Sequence, residues 1–187
     1  MKRLIILIIL LMSTYLWAKD PVKVLYVVDG DTIVVMYQGK KEKIRLIGVD
    51  TPEIHQGSHL NQQVKQWKQS EKKLIRAGKK AKYALKNKLK KARYVYVKFD
   101  KQKRDPYGRL LAYMYADKDM INAWIIREKL GRPLWVKPNV RYRDRVMRGE
   151  VNKLRRKKGY NIPEGINNYG MKVVKKTELE NGAEHFV

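Results

Sequence analysis

The most informative part of the sequence is Arg45-Leu46-Ile47-Gly48-Val49-Asp50-Thr51-Pro52-Glu53, together with Asp29-Gly30-Asp31-Thr32 before it. The chain around these two segments is strongly positive, with 43 Lys and Arg residues against 18 Asp and Glu and a formal net charge of +25. Acidic side chains gathered in so basic a chain indicate a divalent cation, because hard oxygen ligands suit Ca²⁺ or Mg²⁺ and the ion removes their mutual repulsion. The sequence therefore predicts a metal site beside a surface that binds polyanions.

The positive charge also indicates the kind of partner. An excess of this size concentrates a polyanion by long-range attraction and counterion release, which makes nucleic acid the leading candidate and an anionic membrane surface the second. A solvated surface that only keeps the protein soluble is the ordinary alternative. The length of 187 residues allows one sizeable core, so we expect one globular domain with tails.

The N-terminus has the pattern of a secretory signal. Met1-Lys2-Arg3 is a positive start, residues 4–12 are apolar, and Ala18 is a small residue at the expected cleavage site. We therefore expect residues 1–18 to be a signal peptide and the mature protein to be secreted or to lie in the periplasm or cell envelope. An uncleaved membrane anchor is the alternative, although the apolar run is shorter than the about 20 residues of a spanning helix. The chain has no cysteine, which excludes disulfides and thiolate metal sites.

Runs of β-branched and aromatic residues predict five strands in a group of three and a group of two. They cover Val22–Val28, Thr32–Tyr37, Lys43–Ile47, Tyr94–Phe99 and Leu110–Tyr115. A hairpin turn at Gln38-Gly39-Lys40 joins the second strand to the third, and Asp105-Pro106-Tyr107-Gly108 separates the last two.

Three helices are predicted from apolar periodicity. The first lies between the two groups of strands and rests on a repeat at every fourth residue, formed by Ala77, Ala81, Leu85 and Leu89. The second covers Asn122–Leu130, and the third, which is highly charged, runs from about Met147 to about Gly159. Residues 164–187 have no period and are expected to form a poorly ordered tail. This order of elements is that of an α+β fold built on a five-stranded Greek-key barrel.

Each acidic or basic motif has an ordinary structural explanation when it is taken alone. Asp-Gly between two strands is a strong hairpin signal, so Asp29-Gly30-Asp31-Thr32 is explained by a turn. Thr51-Pro52-Glu53 has the residue types that begin helices. Asp105-Pro106-Tyr107-Gly108-Arg109 is explained by another turn, with Arg109 as a solvated charge.

Taken together and in order, these motifs resemble the staphylococcal nuclease, or thermonuclease, family. The resemblance is carried by D-G-D-T, then R-L-x-G-V-D-T-P-E, then D-x-Y-G-R ahead of L-A-Y-x-Y, and it extends from about Val22 to Asn161. It implies a five-stranded OB-fold barrel with three helices, which agrees with the predicted order of elements. We therefore expect residues 19–163 to form one nuclease domain of this kind.

The resemblance implies a Ca²⁺ site in the first two motifs. Asp31 and Asp50 match the carboxylates that bind the ion directly, the backbone carbonyl of Thr51 matches a further ligand, and Asp29 matches a residue that acts through water. His55 and His59 lie close by in sequence and would suit a transition metal, but Ca²⁺ prefers oxygen and two histidines in a loop are usually plain surface residues.

The resemblance also implies the residues that act on the phosphate. Glu53 matches the general base that deprotonates the attacking water, and Arg45 and Arg109 match the arginines that grip the scissile phosphate. Tyr107 matches a tyrosine that hydrogen-bonds a terminal phosphate. Arginine suits this task because its planar fork donates two hydrogen bonds and stays charged at any working pH.

The chain departs from the family pattern in a Lys-rich insertion at residues 56–77. Between Lys65 and Arg93 there are 13 Lys or Arg residues against one acid, Glu71. We interpret this region as a lengthened helix or loop beside the active site that contacts nucleic-acid phosphates, and we expect Lys79 and Lys80 to bind substrate. A solvated helix face is the alternative.

A second departure lies in residues 133–139. The tyrosines expected in this segment are replaced by Leu134 and Val136. The contacts that those tyrosines make in relatives are therefore not expected here, and Trp135 or Tyr142 is expected to stack on an exposed base instead.

The function predicted from these residues is that of an exported, Ca²⁺-dependent phosphodiesterase acting on DNA and RNA. By resemblance, it would break the bond to the 5′ oxygen and leave 3′-phosphorylated products. Little sequence preference is expected, because the backbone is read through charge and bases stack on aromatic side chains. Single-stranded or frayed substrates are expected to be preferred. A monomer is expected. Two alternatives stay open: a non-catalytic OB-fold module that binds nucleic acid, and a membrane-tethered protein that binds DNA for uptake.

Overall fold

The computed structural model describes residues 20–148. The strands are β1 (Asp20–Pro21), β2 (Lys23–Val27), β3 (Thr32–Tyr37), β4 (Lys40–Leu46), β5 (Gly48–Asp50), β6 (Val95–Arg104), β7 (Leu110–Ala116), β8 (Asp119–Met120) and β9 (Arg132–Leu134). The helices are α1 (Ser58–Trp67), α2 (Glu71–Lys90) and α3 (Ile121–Arg127), and residues 143–148 are helical as well. The predicted signal peptide, most of the predicted third helix and the predicted tail lie outside the described residues.

The main sheet has the strand order β1-β6-β7-β4-β3-β2, with β8 added to β7. The pairing of β4 with β7 is parallel and the other pairings are antiparallel. The two ends of this path, β1 and β2, are consecutive pieces of one extended segment separated by Val22 alone. The path thus begins and ends on the same segment, as it does in a barrel, and the predicted α+β fold with a five-stranded barrel is confirmed.

The hairpin between β3 and β4 shows how the local sequence shapes the barrel. Gln38 and Gly39 have φ angles of 49° and 74°, the two positive values of the turn whose twist matches that of antiparallel strands. The turn fixes the register, so that Tyr37 pairs with Lys40 and Ile33 with Ile44. Ile33 and Ile44 are completely buried, so this pair forms part of the apolar interior of the barrel.

Helix α2 covers the barrel with the predicted apolar stripe. Its buried residues recur every three or four positions and are Leu74, Gly78, Ala81, Leu85 and Leu89. The helix thereby lays one face on the core and leaves its many lysines in solvent. The predicted first helix is confirmed, although it already begins at Glu71.

Several elements differ from the prediction in extent. The insertion contains a separate helix, α1, so the open choice between helix and loop is decided for Ser58–Trp67. Helix α3 ends at Arg127 rather than at Leu130, because the chain turns at Lys129 with a φ of 56°. Within residues 20–148, no helix is both long enough and apolar enough to cross a membrane.

Candidate active site

Asp31 is the buried centre of the acidic residues. It directly precedes β3 and is only 5% exposed. Its Oδ2 accepts hydrogen bonds from the backbone N–H of Thr51 at 2.8 Å and from the Thr51 hydroxyl at 2.9 Å. The Asp31 N–H in turn donates to Oδ1 of Asp29 at 3.1 Å. The structure therefore brings Asp29, Asp31 and Thr51 together from two motifs that are distant in sequence.

Arg45 connects this centre to Asp50. Its Nη1 lies 3.2 Å from Oδ2 of Asp31, and its Nη2 lies 3.4 Å from Oδ1 of Asp50. Nη1 also donates to the carbonyl oxygens of Leu46 at 3.0 Å and Val49 at 2.7 Å. Arg45 thus holds the turn between β4 and β5 and places the two carboxylates on either side of one guanidinium group.

Burial and mutual repulsion disfavour the ionised forms of two carboxyl groups in this cluster, those of Asp29 and Asp50. Burial, and next the negative charge of Asp31, raise the pKa of Asp29 from 3.8 to about 7. Burial also raises the pKa of Asp50, the charge of Asp31 raises it further, and Arg45 opposes the shift. A cluster whose carboxylates resist ionisation gains from a bound cation, because the ion favours their charged forms.

The residues present fit a hard cation. In the described part of the chain, no three or more His, Cys, Asp or Glu side chains are grouped so that they could hold a metal ion. The predicted set needs only two side chains, Asp31 and Asp50, with the carbonyl of Thr51 as a third oxygen. All three donors are oxygen, which is the ligand that Ca²⁺ prefers. The exposed His55 and His59 are not part of such a group.

Arg45, Tyr107 and Arg109 line one cleft of about 280 Å³. The turn that follows β6 positions the last two, because Oδ1 of Asp105 accepts the N–H groups of Tyr107 at 3.0 Å and Arg109 at 2.9 Å. The Arg109 guanidinium donates through Nε to Oδ2 of Asp105 at 2.6 Å and lies 5.5 Å from the Tyr107 ring centroid. The third motif therefore meets the second across this cleft.

The departure in residues 133–139 changes the lining of the same cleft. Leu134 and Val136 line it, whereas Trp135 does not. The Trp135 ring packs against Gly48, where a Cβ would overlap it. Tyr142 packs edge-on against Tyr113, with ring centroids 4.8 Å apart. The structure therefore does not bring Trp135 or Tyr142 to the cleft with the other predicted site residues.

A second concave surface is lined in part by Pro52, the residue that follows Thr51. It has a volume of about 400 Å³, and none of its lining residues is acidic. We call it the basic groove and define it by its four exposed cations, Lys73, Lys80, Lys129 and Arg132. Lys79 is also exposed on α2 but lines neither this groove nor the cleft.

Comparison with protein-family models matches residues 43–162 to the family described as Staphylococcal nuclease homologue. The chain belongs to the staphylococcal nuclease family. It is 36% identical over 136 residues to the thermonuclease of Staphylococcus hyicus, covering 73% of this chain and 72% of that protein. The thermonuclease of Staphylococcus intermedius is 35% identical over 136 residues, covering 73% and 71%. Endonuclease YncB of Bacillus subtilis (strain 168) is 36% identical over 120 residues, covering 63% of this chain and 50% of that protein.

This staphylococcal nuclease family member has one site residue that the motifs did not indicate, Gln63 of α1. It is 5% exposed. Its side-chain amide donates to the carbonyl oxygen of Thr51 at 2.9 Å and to Oδ2 of Asp50 at 3.3 Å, and its Oε1 accepts the N–H of Glu53 at 2.8 Å. The signal that could have found it is its spacing of three residues from Leu60, which places both on one helical face.

In this family member, close backbone approaches hold residues 50–53 from two further sides. A Cβ on Gly131 would lie 2.5 Å from the carbonyl oxygen of Asp50. A Cβ on Gly78 of α2 would overlap the carbonyl oxygen of Pro52 and lie 2.8 Å from that of Glu53. Glycine is thus needed at both places because any side chain would push this segment away.

Proposed function

We propose that this chain is a Ca²⁺-dependent nuclease that hydrolyses DNA and RNA with little sequence preference. The observation that carries the proposal is the position of Arg45, which pairs with Asp31 and Asp50 and lines the same cleft as Arg109. Oxygen donors for a cation thereby lie against one of the two arginines that line the cleft, where a phosphate can lie. The thermonuclease and endonuclease relatives support this assignment.

In this proposal Asp31, Asp50 and the Thr51 carbonyl hold the ion, and Asp29 acts through water. When bound, Ca²⁺ supplies Lewis-acid charge next to the reacting phosphate. The hydrogen bonds from Thr51 to Asp31 fix one carboxylate before any ion arrives. Such pre-organisation reduces the rearrangement that binding requires.

Arg45 and Arg109 stabilise the charge that accumulates on the phosphate oxygens during attack. Both forks are held by acidic partners, Arg45 by Asp31 and Asp50 and Arg109 by Asp105. Fixed donors aimed at developing charge give a large part of the rate enhancement in reactions of this type. Tyr107, which is 78% exposed at the rim, hydrogen-bonds a terminal phosphate.

Glu53 accepts the proton of the attacking water. Its backbone is anchored by Gln63, and the residue is half-buried. Its charge is close enough to Asp50 to contribute to the raised pKa of that carboxyl. The water oxygen forms the new bond to phosphorus, and the bond to the 5′ oxygen breaks. The products carry a 3′ phosphate and a free 5′ hydroxyl.

The substrate strand extends from the cleft into the basic groove. Lys80 lies there, and Lys79 on the same helix adds charge nearby. Contacts of this kind go to the phosphate backbone and carry no sequence information, so they suit DNA and RNA alike. A single or frayed strand reaches a cleft of this size more easily than an intact duplex.

Export is part of the proposal and rests on residues 1–18. Sequencing the N-terminus of the protein recovered outside the producing cell tests it, and a new start at Lys19 is expected. A retained Met1 and recovery with membranes would instead support the tethered alternative. We propose that the mature protein acts as a monomer.

The activity is tested by nicking of single-stranded DNA and RNA by the mature chain, with Ca²⁺ and with chelator. Glu53→Gln is expected to lower kcat by about 10²–10⁴ without weakening DNA binding, because it removes the proton acceptor and one negative charge and keeps both arginines. Glu128→Gln is the matched control, since Glu128 is exposed at the end of α3. DNA binding without Ca²⁺-dependent cleavage by the parent chain would establish the binding module instead.

A further inference from the structure

The amide of Gln63 reaches three of the four residues in the segment 50–53. Nε2 donates to the Thr51 carbonyl and to the Asp50 carboxylate, and Oε1 accepts from the Glu53 backbone. A primary amide offers two donors and one acceptor group, so this arrangement uses both ends of the side chain. Gln63 is nearly fully buried, and a buried amide left without these partners would be destabilising.

These contacts meet the oxygen atoms that are proposed to hold the cation. A carbonyl oxygen has two lone pairs, so the Thr51 carbonyl can accept from Gln63 and still face an ion. A hydrogen bond to a ligating carboxylate orients the group. Gln63 donates to Oδ2 of Asp50 and Arg45 lies against Oδ1, and each of these oxygens keeps a lone pair with which it can meet an ion. On the far side of the segment, the same amide fixes the backbone from which the Glu53 side chain projects.

Helix α1 contacts β9, which pairs with the strand that carries Asp50. Its Leu60 is 1% exposed, and its Trp67 ring lies 4.3 Å from the Arg132 guanidinium carbon. Arg132 is the partner of Asp50 in the pairing of β9 with β5. The Gln63 amide is therefore presented by a helix that is anchored near both of its ends, at Leu60 and at Trp67.

We propose that Gln63 is a positioning residue that sets the affinity of the site for its divalent cation. It acts by holding the Asp50 carboxylate, the Thr51 carbonyl and the Glu53 backbone in one arrangement. This gives the helical part of the insertion a function in the reaction in addition to its positive charge. The inference rests on the proposed function in one respect, that Asp50 and Thr51 are ligands.

Gln63→Met tests this, because methionine has a similar length and volume but offers no N–H donor. Gln62→Met is the matched control, since Gln62 is an exposed glutamine on the same helix. Ca²⁺ alone is titrated into each metal-free protein, and its affinity is measured by calorimetry and by the shift of the thermal midpoint. Gln63→Ala is measured in parallel, so that a poorly folding methionine variant does not end the test.

Gln63→Met and Gln63→Ala are expected to weaken Ca²⁺ binding by about 10–100-fold, and Gln62→Met to leave it unchanged. The Ca²⁺ concentration that gives half-maximal cleavage should rise by the same factor, with much of kcat regained at saturating Ca²⁺. A lower unfolding midpoint with unchanged Ca²⁺ affinity would show a merely structural role and overturn the proposal. A parent chain that binds Ca²⁺ without cleaving DNA would refute the nuclease and leave this inference standing, whereas one that binds no Ca²⁺ would overturn both.

Discussion

At the scale of single residues, the site contains three neighbouring carboxylates and one arginine that pairs with two of them. Thr51 and Arg45 offer donors to Asp31, and Arg45 also pairs with Asp50. Asp29 joins them by accepting the backbone N–H of Asp31. Arg45 supplies the positive charge within this group. The pKa values of Asp29 and Asp50 are nevertheless both raised, because burial disfavours the ionised carboxylates and the charge of Asp31 adds to this effect.

The raised pKa of Asp29 predicts how pH changes the stability of the metal-free protein. The pKa of Asp29 is about 7 in the folded chain against 3.8 ordinarily, so the folded state binds more protons between these values. Its free energy of unfolding therefore decreases as pH rises through that window. Asp29→Asn, which cannot ionise, should be more stable than the parent at about pH 8, and the difference should disappear by about pH 4. Urea unfolding of both proteins in chelator measures this, and a difference that does not change with pH would contradict it.

The site residues that could be predicted from the sequence were those in the motifs that carry the family resemblance. Asp31, Arg45 and Asp50 lie together as the motifs implied. Gln63 could not be predicted, because a glutamine in a polar stretch gains its role only when a helix presents it to a distant segment. Trp135 could not be placed either, since its packing against Gly48 depends on how β9 pairs with β5.

At the scale of elements, the local sequence pattern predicted the helices and strands that have an apolar face of their own. Helix α2 has a dense buried stripe and was predicted, whereas α1 has only Leu60 and Gln63 buried and was left open between helix and loop. Strands β5 and β9 have three residues each and pair only with one another in the described sheets. Elements of this kind exist because tertiary pairing forms them, and no local period reveals them.

The close approach of α2 to the active site gives a prediction with an unusual sign. Alanine favours a helix interior over glycine by about 1 kcal/mol, so Gly78→Ala would ordinarily stabilise α2. Here the added Cβ overlaps the Pro52 carbonyl, and we expect lower stability together with lower activity. Asn87→Ala is the control, because Asn87 is exposed on the same helix and the change should stabilise slightly. Thermal unfolding and cleavage rates measure both, and a Gly78→Ala protein that is more stable and fully active would contradict the packing argument.

At the scale of the whole molecule, the net charge of +25 attracts nucleic acid from every direction. Charge of this kind concentrates a polyanion near the surface but does not lead it to the cleft. The basic groove differs from the general field because its four cations flank Pro52, the residue that follows Thr51. The effects of the net charge and of the basic groove on nucleic-acid binding can be separated. The first depends on the total charge, and the second depends on where the charges lie.

Two double substitutions that each remove two positive charges separate these two effects. Lys73→Ala with Lys129→Ala removes two charges from the basic groove, and Lys23→Ala with Lys40→Ala removes two exposed charges that line neither groove nor cleft.

The groove pair should weaken binding of a long single strand in chelator and reduce the slope of log affinity against log salt by about 1.4, because each lost phosphate contact contributes about 0.7. The control pair should change the slope much less. With Ca²⁺, cleavage of a dinucleotide that occupies only the cleft should be unaffected by either pair. Equal losses of affinity and slope from both pairs would show that the field of the whole molecule, and not the groove, carries the strand.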